Sequence, residues 1–390
     1  HEPTLRAPAR YRRACRYDAF IPDPLLDLDL RLSADAAGVA SEAEAAVRDL
    51  NAEARPALAP LARRLLRTES IASSKVEGMQ VGVRELARAE ARMETGRSVG
   101  AGVVEVMANI DAMELAIDEA ATVPGFAPAE ILAIHRKLME GAPSARIAGR
   151  IRATQNWIGG NDYNPCGADF VPPPPEHVAP LMEDLCGYIN DDVHPPLVQA
   201  ALVHAQFETI HPFHDGNGRT GRALIHVVLR RRGVAPGYVP PISVVLAASR
   251  DRYIGGLTNY RLGRVDDWLE HFAAATGRSA RLASDYLQAV RELTAHWRSR
   301  LEASPGAPRA DAAAWVVIDQ LPGHPIITAP VAAAATGRSK PAVYQALAQL
   351  ESAGVLIPLS EGRRNRAWEA VGLLDLLAGL ESGERPALPS

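Results

Sequence analysis

The twelve residues "HPFHDGNGRTGR", 211–222, constrain this chain more than any other stretch, because they interrupt an apolar helical pattern with a cluster of polar groups and glycines. Pro212 disfavours a helical His211, so the preceding helix must stop there and leave the imidazole in an exposed, non-helical position. The tetrapeptide Asp215-Gly216-Asn217-Gly218 tolerates positive φ, offers bare backbone amides and leads into a second helical pattern. A glycine-rich turn entering a helix N-terminus is an anion-binding device, since unpaired N–H groups and the helix dipole point at the same place. Arg219 and Arg222, three apart and so on one helix face, add planar donors suited to phosphate oxygens. Asp215 beside such a nest suits Mg²⁺, the usual mediator between a carboxylate and a polyphosphate, and His211 has the chemistry of a general base. A competing arrangement takes His214 and Asp215 as the His-Asp pair of a metal phosphohydrolase, with His211 and His204 as further ligands. Such a site has no use for the glycine nest and the paired arginines.

The rest of the chain sets the frame for that island. With 390 residues, 47% of them hydrophobic and 23% charged, the composition is that of a soluble globular protein of two or three domains. No apolar run is long enough to span a bilayer and the first residues lack the apolar stretch of a signal peptide, so a cytoplasmic protein with no membrane partner is expected. Cys15, Cys166 and Cys186 show no C-x-x-C spacing and are odd in number, which predicts reduced thiols and no zinc knuckle. A net charge of -4 and a pI near 6.3 argue against a chain built as a whole to coat nucleic acid. Helical periodicity runs through 35–95, with breaks at Pro56 and 78–82, and through 103–121, 128–140, 177–189, 196–210, 222–232 and 281–301. The segment 149–175, with a glycine pair and four consecutive prolines, reads as a hairpin or extended loop. The fold class expected is mainly α, divided into an N-terminal helical region 1–95, a core 96–280, a connecting helix and linker 281–308 and a C-terminal unit 309–380.

That C-terminal unit looks like a winged helix-turn-helix. Thr328 caps a short helix with Pro330 in its first turn, Gly337 makes the turn, and Ser339 starts a second helix lined by Val343, Leu347 and Leu350. Two β-prone pieces, "VLIPL" and "RAWEA", flank the tip "SEGRRNR". In this reading Lys340, Tyr344 and Gln345 face a DNA major groove, and Arg363, Arg364 and Arg366 a backbone or minor groove. Acidic residues balance these basic ones, and winged helices also serve as protein docking or dimer modules, so DNA is one partner among several.

The pattern H-x-F-x-[D/E]-G-N-G-R-x-x-R, matched without a gap by 211–222, resembles the signature of Fic-domain proteins. "IHRKLM", "GRIR", "FVPPPP" and "HAQFETIHPF" are similar to the Fic core, and the resemblance covers about 65–275. It implies a helical core with a short β-hairpin flap and transfer of AMP from ATP to a Ser, Thr or Tyr hydroxyl of a protein. On that reading His211 deprotonates the attacking hydroxyl and Asp215 holds Mg²⁺ on the α- and β-phosphates. Phe213 belongs to the nucleotide-binding motif, Asn217 with the amides of Gly216 and Gly218 binds the α-phosphate, and Arg219 and Arg222 bind the distal phosphates. A lysine replaces Gly218 in the kinase-like Doc branch, so glycine favours nucleotidyl over γ-phosphoryl transfer. Ile158, Gly159, Gly160 and Asn161 lie in the flap that pairs with the target's backbone. Downstream, "RLGR" at 261–264 replaces the Asn-x-Gly-Asp of many relatives, and Tyr253 is the expected wall of the adenine pocket.

Upstream, "TESIASSKVEGM" places Ser73 and Glu77 four apart with Gly78 as a helix stop. It resembles the family's inhibitory-helix motif, about 68–78, on the N-terminal side as in class II members. The implied mechanism has Glu77 pair with Arg222, so that ATP binds non-productively. In some relatives the same glutamate supports removal of AMP. The resemblance further implies self-modification and homodimer formation. The reading from another class is a nucleotide-sensing, DNA-binding regulator.

Overall fold

The computed structural model describes residues 7–12, 14–52, 59–94, 96–142, 144–359 and 366–386. Among these, the helices in chain order are α1 (Ala34–Ala52), α2 (Ala59–Val76), α3 (Val83–Glu94), α4 (Ala101–Asp118), α5 (Pro128–Leu138), α6 (Pro175–Asn190), α7 (Pro196–Ile210) and α8 (Asn217–Arg231). They continue with α9 (Ile242–Ala248), α10 (Arg250–Arg261), α11 (Val265–Glu302), α12 (Ala313–Gln320), α13 (Ala329–Thr336), α14 (Lys340–Ser352) and α15 (Leu373–Ser382). Three short strands, β1 (Ile326–Thr328), β2 (Leu356–Pro358) and β3 (Ala367–Ala370), form one antiparallel sheet in the order β1-β3-β2. The expectation of a mainly helical chain holds. The expected break at Pro56 lies outside the described residues.

The chain divides into two compact units, each discontinuous in sequence: His1–Ser41, Asp111–Val234 and Asp251–Ala273 form the first, and Glu42–Ile110, Ala235–Arg250 and Ala274–Ser390 the second. In the first, α7 is apolar all round ("LVQAALVHAQF") and is therefore buried on every side, packed between α6 and α8. A Cβ on Gly221 of α8 would lie 2.7 Å from the Glu208 carboxylate and 2.9 Å from the Phe207 ring, so glycine is what lets the two helices close. Sequence periodicity placed the start of α8 at Arg222. It starts at Asn217 because Gly216, in the left-handed region at φ 77°, turns the chain directly into the helix.

In the second unit α2 packs on α9 and α15, and α3 on α15 and β1. Glu69, buried in α2, accepts from the Ser243 N–H at 2.8 Å and from its hydroxyl, fixing α9. The C-terminal elements match the sequence reading. Thr328 Oγ1 caps α13 by accepting from the Val331 N–H at 3.4 Å, Gly337 makes the turn at φ 65°, and Val343, Leu347 and Leu350 bury one face of α14.

One expectation fails. Cys15 and Cys166 form a disulfide with Cα atoms 6.0 Å apart, and only Cys186 is a buried free thiol, its pKa pushed up to about 12 by burial. Spacing rules read neighbouring cysteines, whereas this bond joins residues 151 apart in sequence. The pairing also removes the thiol argument for a reducing compartment. No helix among the described residues is long and apolar enough to cross a membrane.

Candidate active site

His211 ends α7 with φ 49° and ψ 59°, the one non-glycine residue in the left-handed region among those described. A β-carbon makes that conformation cost about 1–2 kcal/mol, so neighbours must hold it. Its N–H donates to the Phe207 carbonyl at 2.9 Å, and its own carbonyl accepts from Arg152 Nε at 2.9 Å and Asn156 Nδ2 at 3.3 Å. The buried Arg152 guanidinium also donates to the carbonyls of Thr154, Pro173 and Ile210, and burial lowers its pKa to about 10. Neither Arg152 nor Asn156 carries a chemical motif, which is why sequence reasoning gave them no role; the buried arginine of "GRIR" was the available signal.

The loop beyond His211 is braced from inside. Asn217 Oδ1 accepts from the Phe213 N–H and Asn217 Nδ2 donates to the Phe213 carbonyl, each at 2.8 Å. The Phe213 ring is fully buried and stacks on His135 of α5 at 3.7 Å, so it anchors the loop from the core. His135 Nδ1 accepts from the Gly149 N–H at 2.9 Å, which leaves the Nε2 proton to donate to the Asp215 carbonyl at 3.0 Å. Burial lowers the His135 pKa to about 4, outweighing the Asp215 contacts that raise it, and the neutral ring is the form these two bonds require. Asp215 itself is exposed; its carboxylate accepts from the Gly216 N–H at 2.6 Å and from Ser144 Oγ at 3.3 Å. The first intrahelical bond of α8 runs from Thr220 N–H to the Gly216 carbonyl at 3.0 Å, so the amides of Asn217, Gly218 and Arg219 lie ahead of the helix's own bonding.

The two arginines of the motif are not solvated. Arg219 is 4% exposed and Arg222 1% exposed. Arg219 Nη2 stands 3.7 Å from the Asp215 carboxylate, while its buried Nε and Nη1 have no hydrogen-bond partner among the described residues. Burying guanidinium donors without acceptors is costly, and an anion at the α8 N-terminus is what would satisfy them.

Other expected site residues fall into different surroundings. Tyr253 is 3% exposed, with its hydroxyl 2.8 Å from His204 Nε2 and its ring beside Trp268, so it packs into the core. Burial and the Arg222 charge lower the His204 pKa to about 3. His204 is thus part of an aromatic cluster, and no group of metal-ligating side chains is found among the described residues, which leaves the phosphohydrolase arrangement without support. The flap residues lie in an extended loop closed by one antiparallel bridge, Ile158 with Phe170, rather than by a full hairpin. Gly159 and Gly160 follow at φ 75° and 74°, and the Asn161 side chain organises the loop by bonding Tyr163, Asn164 and Cys166. The chain's own N-terminal segment meets this loop: the Phe20 N–H donates to the Val171 carbonyl at 2.9 Å, and Asn164 Nδ2 donates to the Tyr11 carbonyl at 2.8 Å. Arg261 of "RLGR" lies over the Phe170 ring, 3.7 Å from its centroid.

In the second unit, α2 ends at Val76, with Gly78 at φ 88° and the Met79 N–H returning to the Ser74 carbonyl at 3.1 Å. Ser73 is buried and Glu77 sits on the exposed turn. Arg250 Nε, unforeseen from sequence, caps this end by donating to the Val76 carbonyl at 2.9 Å. On α14, Lys340, Tyr344 and Gln345 are all exposed, whereas Arg366 is held by Glu351 at 3.3 Å and over the Trp368 ring. Arg363 and Arg364 lie outside the described residues.

Comparison with known proteins agrees with this geometry. Residues 38–118 match the Fic/DOC family N-terminal model and residues 125–229 the Fic/DOC family model. Protein adenylyltransferase fic-1 of Caenorhabditis elegans is 31% identical over 147 residues, 37% of this chain and 26% of that protein. Protein adenylyltransferase Fic of Nematostella vectensis is 31% identical over 175 residues, covering 42% and 37%. This chain therefore spans only about a quarter to two fifths of the length of these curated relatives. In solved structures, a Fic family protein from Desulfovibrio desulfuricans G20 shares the fold with a TM-score of 0.55 at 21% identity, over 88% of this chain and 98% of that one. Residues 134–508 of C. elegans Fic-1 align with a TM-score of 0.51 at 22% identity, over 65% and 74%. With the motif loop, the buried arginines and both family matches in one chain, residues 38–118 and 125–229 carry the N-terminal and main domains of the Fic/DOC family.

Proposed function

We propose that this chain transfers AMP from ATP to a Ser, Thr or Tyr hydroxyl of a protein, itself included. The observation that carries the proposal is the buried Arg219 guanidinium, two of whose nitrogens have no hydrogen-bond partner among the described residues, set beside the amide-rich start of α8. A polyphosphate supplies the acceptors such a site lacks. His211 takes the proton of the attacking hydroxyl, the oxygen displaces pyrophosphate at the α-phosphorus, and the α8 amides and arginines hold the charge that develops. Asn217 acts through its backbone amide, since its carboxamide is committed to Phe213. The exposed Asp215 carboxylate fits a Mg²⁺ that arrives on the nucleotide, because a single carboxylate plus phosphate oxygens is the usual donor set. Bound there, the ion neutralises phosphate charge. Gly218 supports transfer of the nucleotidyl rather than the γ-phosphoryl group.

Autoinhibition enters through Glu77, which the family resemblance sets against Arg222. The same carboxylate would then assist removal of AMP. Label transfer from ATP marked at the α- or the γ-phosphate, in wild type, Glu77→Gly and Glu77→Gly/His211→Ala, tests the transfer and its inhibition, and loss of α-label from a modified target in wild type but not in Glu77→Gly tests the removal. The expected result is α-label only, stronger in Glu77→Gly and absent once His211 is also replaced; γ-label transfer, or none in any variant, overturns the assignment.

A second reading, a nucleotide-sensing DNA-binding regulator, is favoured by the exposed Lys340, Tyr344 and Gln345 on α14. It predicts DNA binding that survives His211→Ala and falls on Lys340→Glu.

A further inference from the structure

Within the second unit lies a cavity of about 600 Å³, a volume suited to a metabolite-sized ligand. Its charged wall is made by Arg63, Arg64 and Arg67 of α2, with Glu90 of α3 and His324 from the segment before β1; Met107 and Ile326 contribute to the apolar remainder. Three guanidinium groups thus face a single carboxylate. That carboxylate is already paired with Arg67, and Arg64 donates through Nε to the Gly323 carbonyl at 3.0 Å, holding α2 to the turn before β1. Burial and the neighbouring arginines lower the His324 pKa to about 4, so the histidine adds no charge near neutral pH, and burial lowers that of Arg64 to about 10. Among the described residues that line the cavity, three guanidinium groups meet one carboxylate, so a bound anion would supply counter-charge that the lining is short of.

We propose that this cavity is a binding site for a small organic anion, with a phosphate, sulfonate or carboxylate head on an apolar body. The head is taken by Arg63 and Arg67, one helical turn apart on α2, and the body lies against Met107 and Ile326. An anion here competes with Glu90 for Arg67 and so changes what holds α2 to α3. Ten residues separate Arg67 from Glu77, about 15 Å along the same helix and its terminal turn, so the occupant is placed to act on the inhibitory motif. This last step rests on the autoinhibition proposed above; the binding itself does not.

The test is isothermal titration of the full chain with 1-anilinonaphthalene-8-sulfonate and with N-phenyl-1-naphthylamine, which has the same apolar body without the charge. One sulfonate per chain is expected, bound at least ten-fold more tightly than the neutral compound and not displaced by Mg²⁺ and ATP. Arg63→Gln, which leaves the Arg67–Glu90 pair intact, should weaken the sulfonate at least ten-fold without changing the melting temperature. Ala91→Phe, which fills the cavity, should abolish binding. Equal affinity for the two compounds, displacement by ATP, indifference to both substitutions or no binding at millimolar concentration overturns the site. If the sulfonate binds as expected but leaves α-label transfer unchanged in wild type while Glu77→Gly is active, the regulatory step alone falls.

Discussion

The carboxamide of Asn217 closes a two-way bridge on the backbone of Phe213, accepting from its N–H and donating to its carbonyl at 2.8 Å each. A residue whose type suggests ligand binding instead sets the shape of the loop, and in the proposed reaction it is the amides exposed by this shape that would meet the nucleotide. Asn217→Ala leaves both Phe213 groups buried without partners, at a cost of about 1–3 kcal/mol each as an upper range. The expected outcome is a lower denaturation midpoint together with loss of nucleotide binding. Asn217→Asp keeps the acceptor and loses the donor, so it should fall between the two in chemical denaturation.

Arg152 holds the His211 carbonyl at 2.9 Å while bonding three further carbonyls. Lysine cannot present donors in that planar fork. Arg152→Lys should therefore release His211 from its left-handed conformation and lower the rate of α-label transfer at least ten-fold. ATP affinity, which the proposed reaction assigns to α8, should change much less. Equal losses in binding and rate would show that the loop as a whole, and not His211, depends on Arg152.

His135 gives the loop a pH dependence whose sign is fixed by its environment. Its folded pKa of about 4 lies below the ordinary 6.5, so between these values the unfolded chain binds the proton and the folded one does not. The contribution is fully present above pH 6.5 and is lost as the pH falls towards 4, amounting to roughly 2–3 kcal/mol at the acid end. Stability measured by denaturant titration should fall over that window, and the slope should be shallower by up to one proton in His135→Asn.

Those residues show which parts of the site could be read from the chain. The histidine, the carboxylate, the glycine turn and the paired arginines stand in twelve consecutive positions, so local rules were enough to group them. The bonds that hold them come from 135, 152 and 156, and a lone histidine, arginine or asparagine has no local signature of its partners. Tyr253, the aromatic residue downstream of the motif, is set in the core by the hydroxyl bond to His204, a surrounding that no local pattern announces. The start of α8 was missed because glycine and asparagine read as loop until the left-handed Gly216 makes them the first turn of a helix. In the C-terminal unit every device was local, a Thr cap, a Gly turn and an apolar stripe, and the elements there fell where the sequence put them.

The Cys15–Cys166 disulfide is where long-range structure departs furthest from the sequence reading, and it ties the N-terminal segment to the flap loop. Around it, Tyr11 stacks on Tyr163 at 5.4 Å, Asn164 bonds the Tyr11 carbonyl, and Phe20 donates to Val171. These contacts are individually worth about 1 kcal/mol, less than a cross-link closing a loop of 151 residues, for which chain entropy gives an upper value near 5 kcal/mol. Reduction, or Cys15→Ser, should therefore lower the melting temperature by several degrees and make the first thirty or so residues the earliest site of proteolytic cleavage. Because the flap is the loop proposed to pair with a target's backbone, and Phe20 already bonds its far end, the same change should increase α-label transfer to an added protein substrate in the Glu77→Gly background. Unchanged melting and unchanged proteolysis under reducing conditions would mean that the noncovalent contacts alone secure the segment.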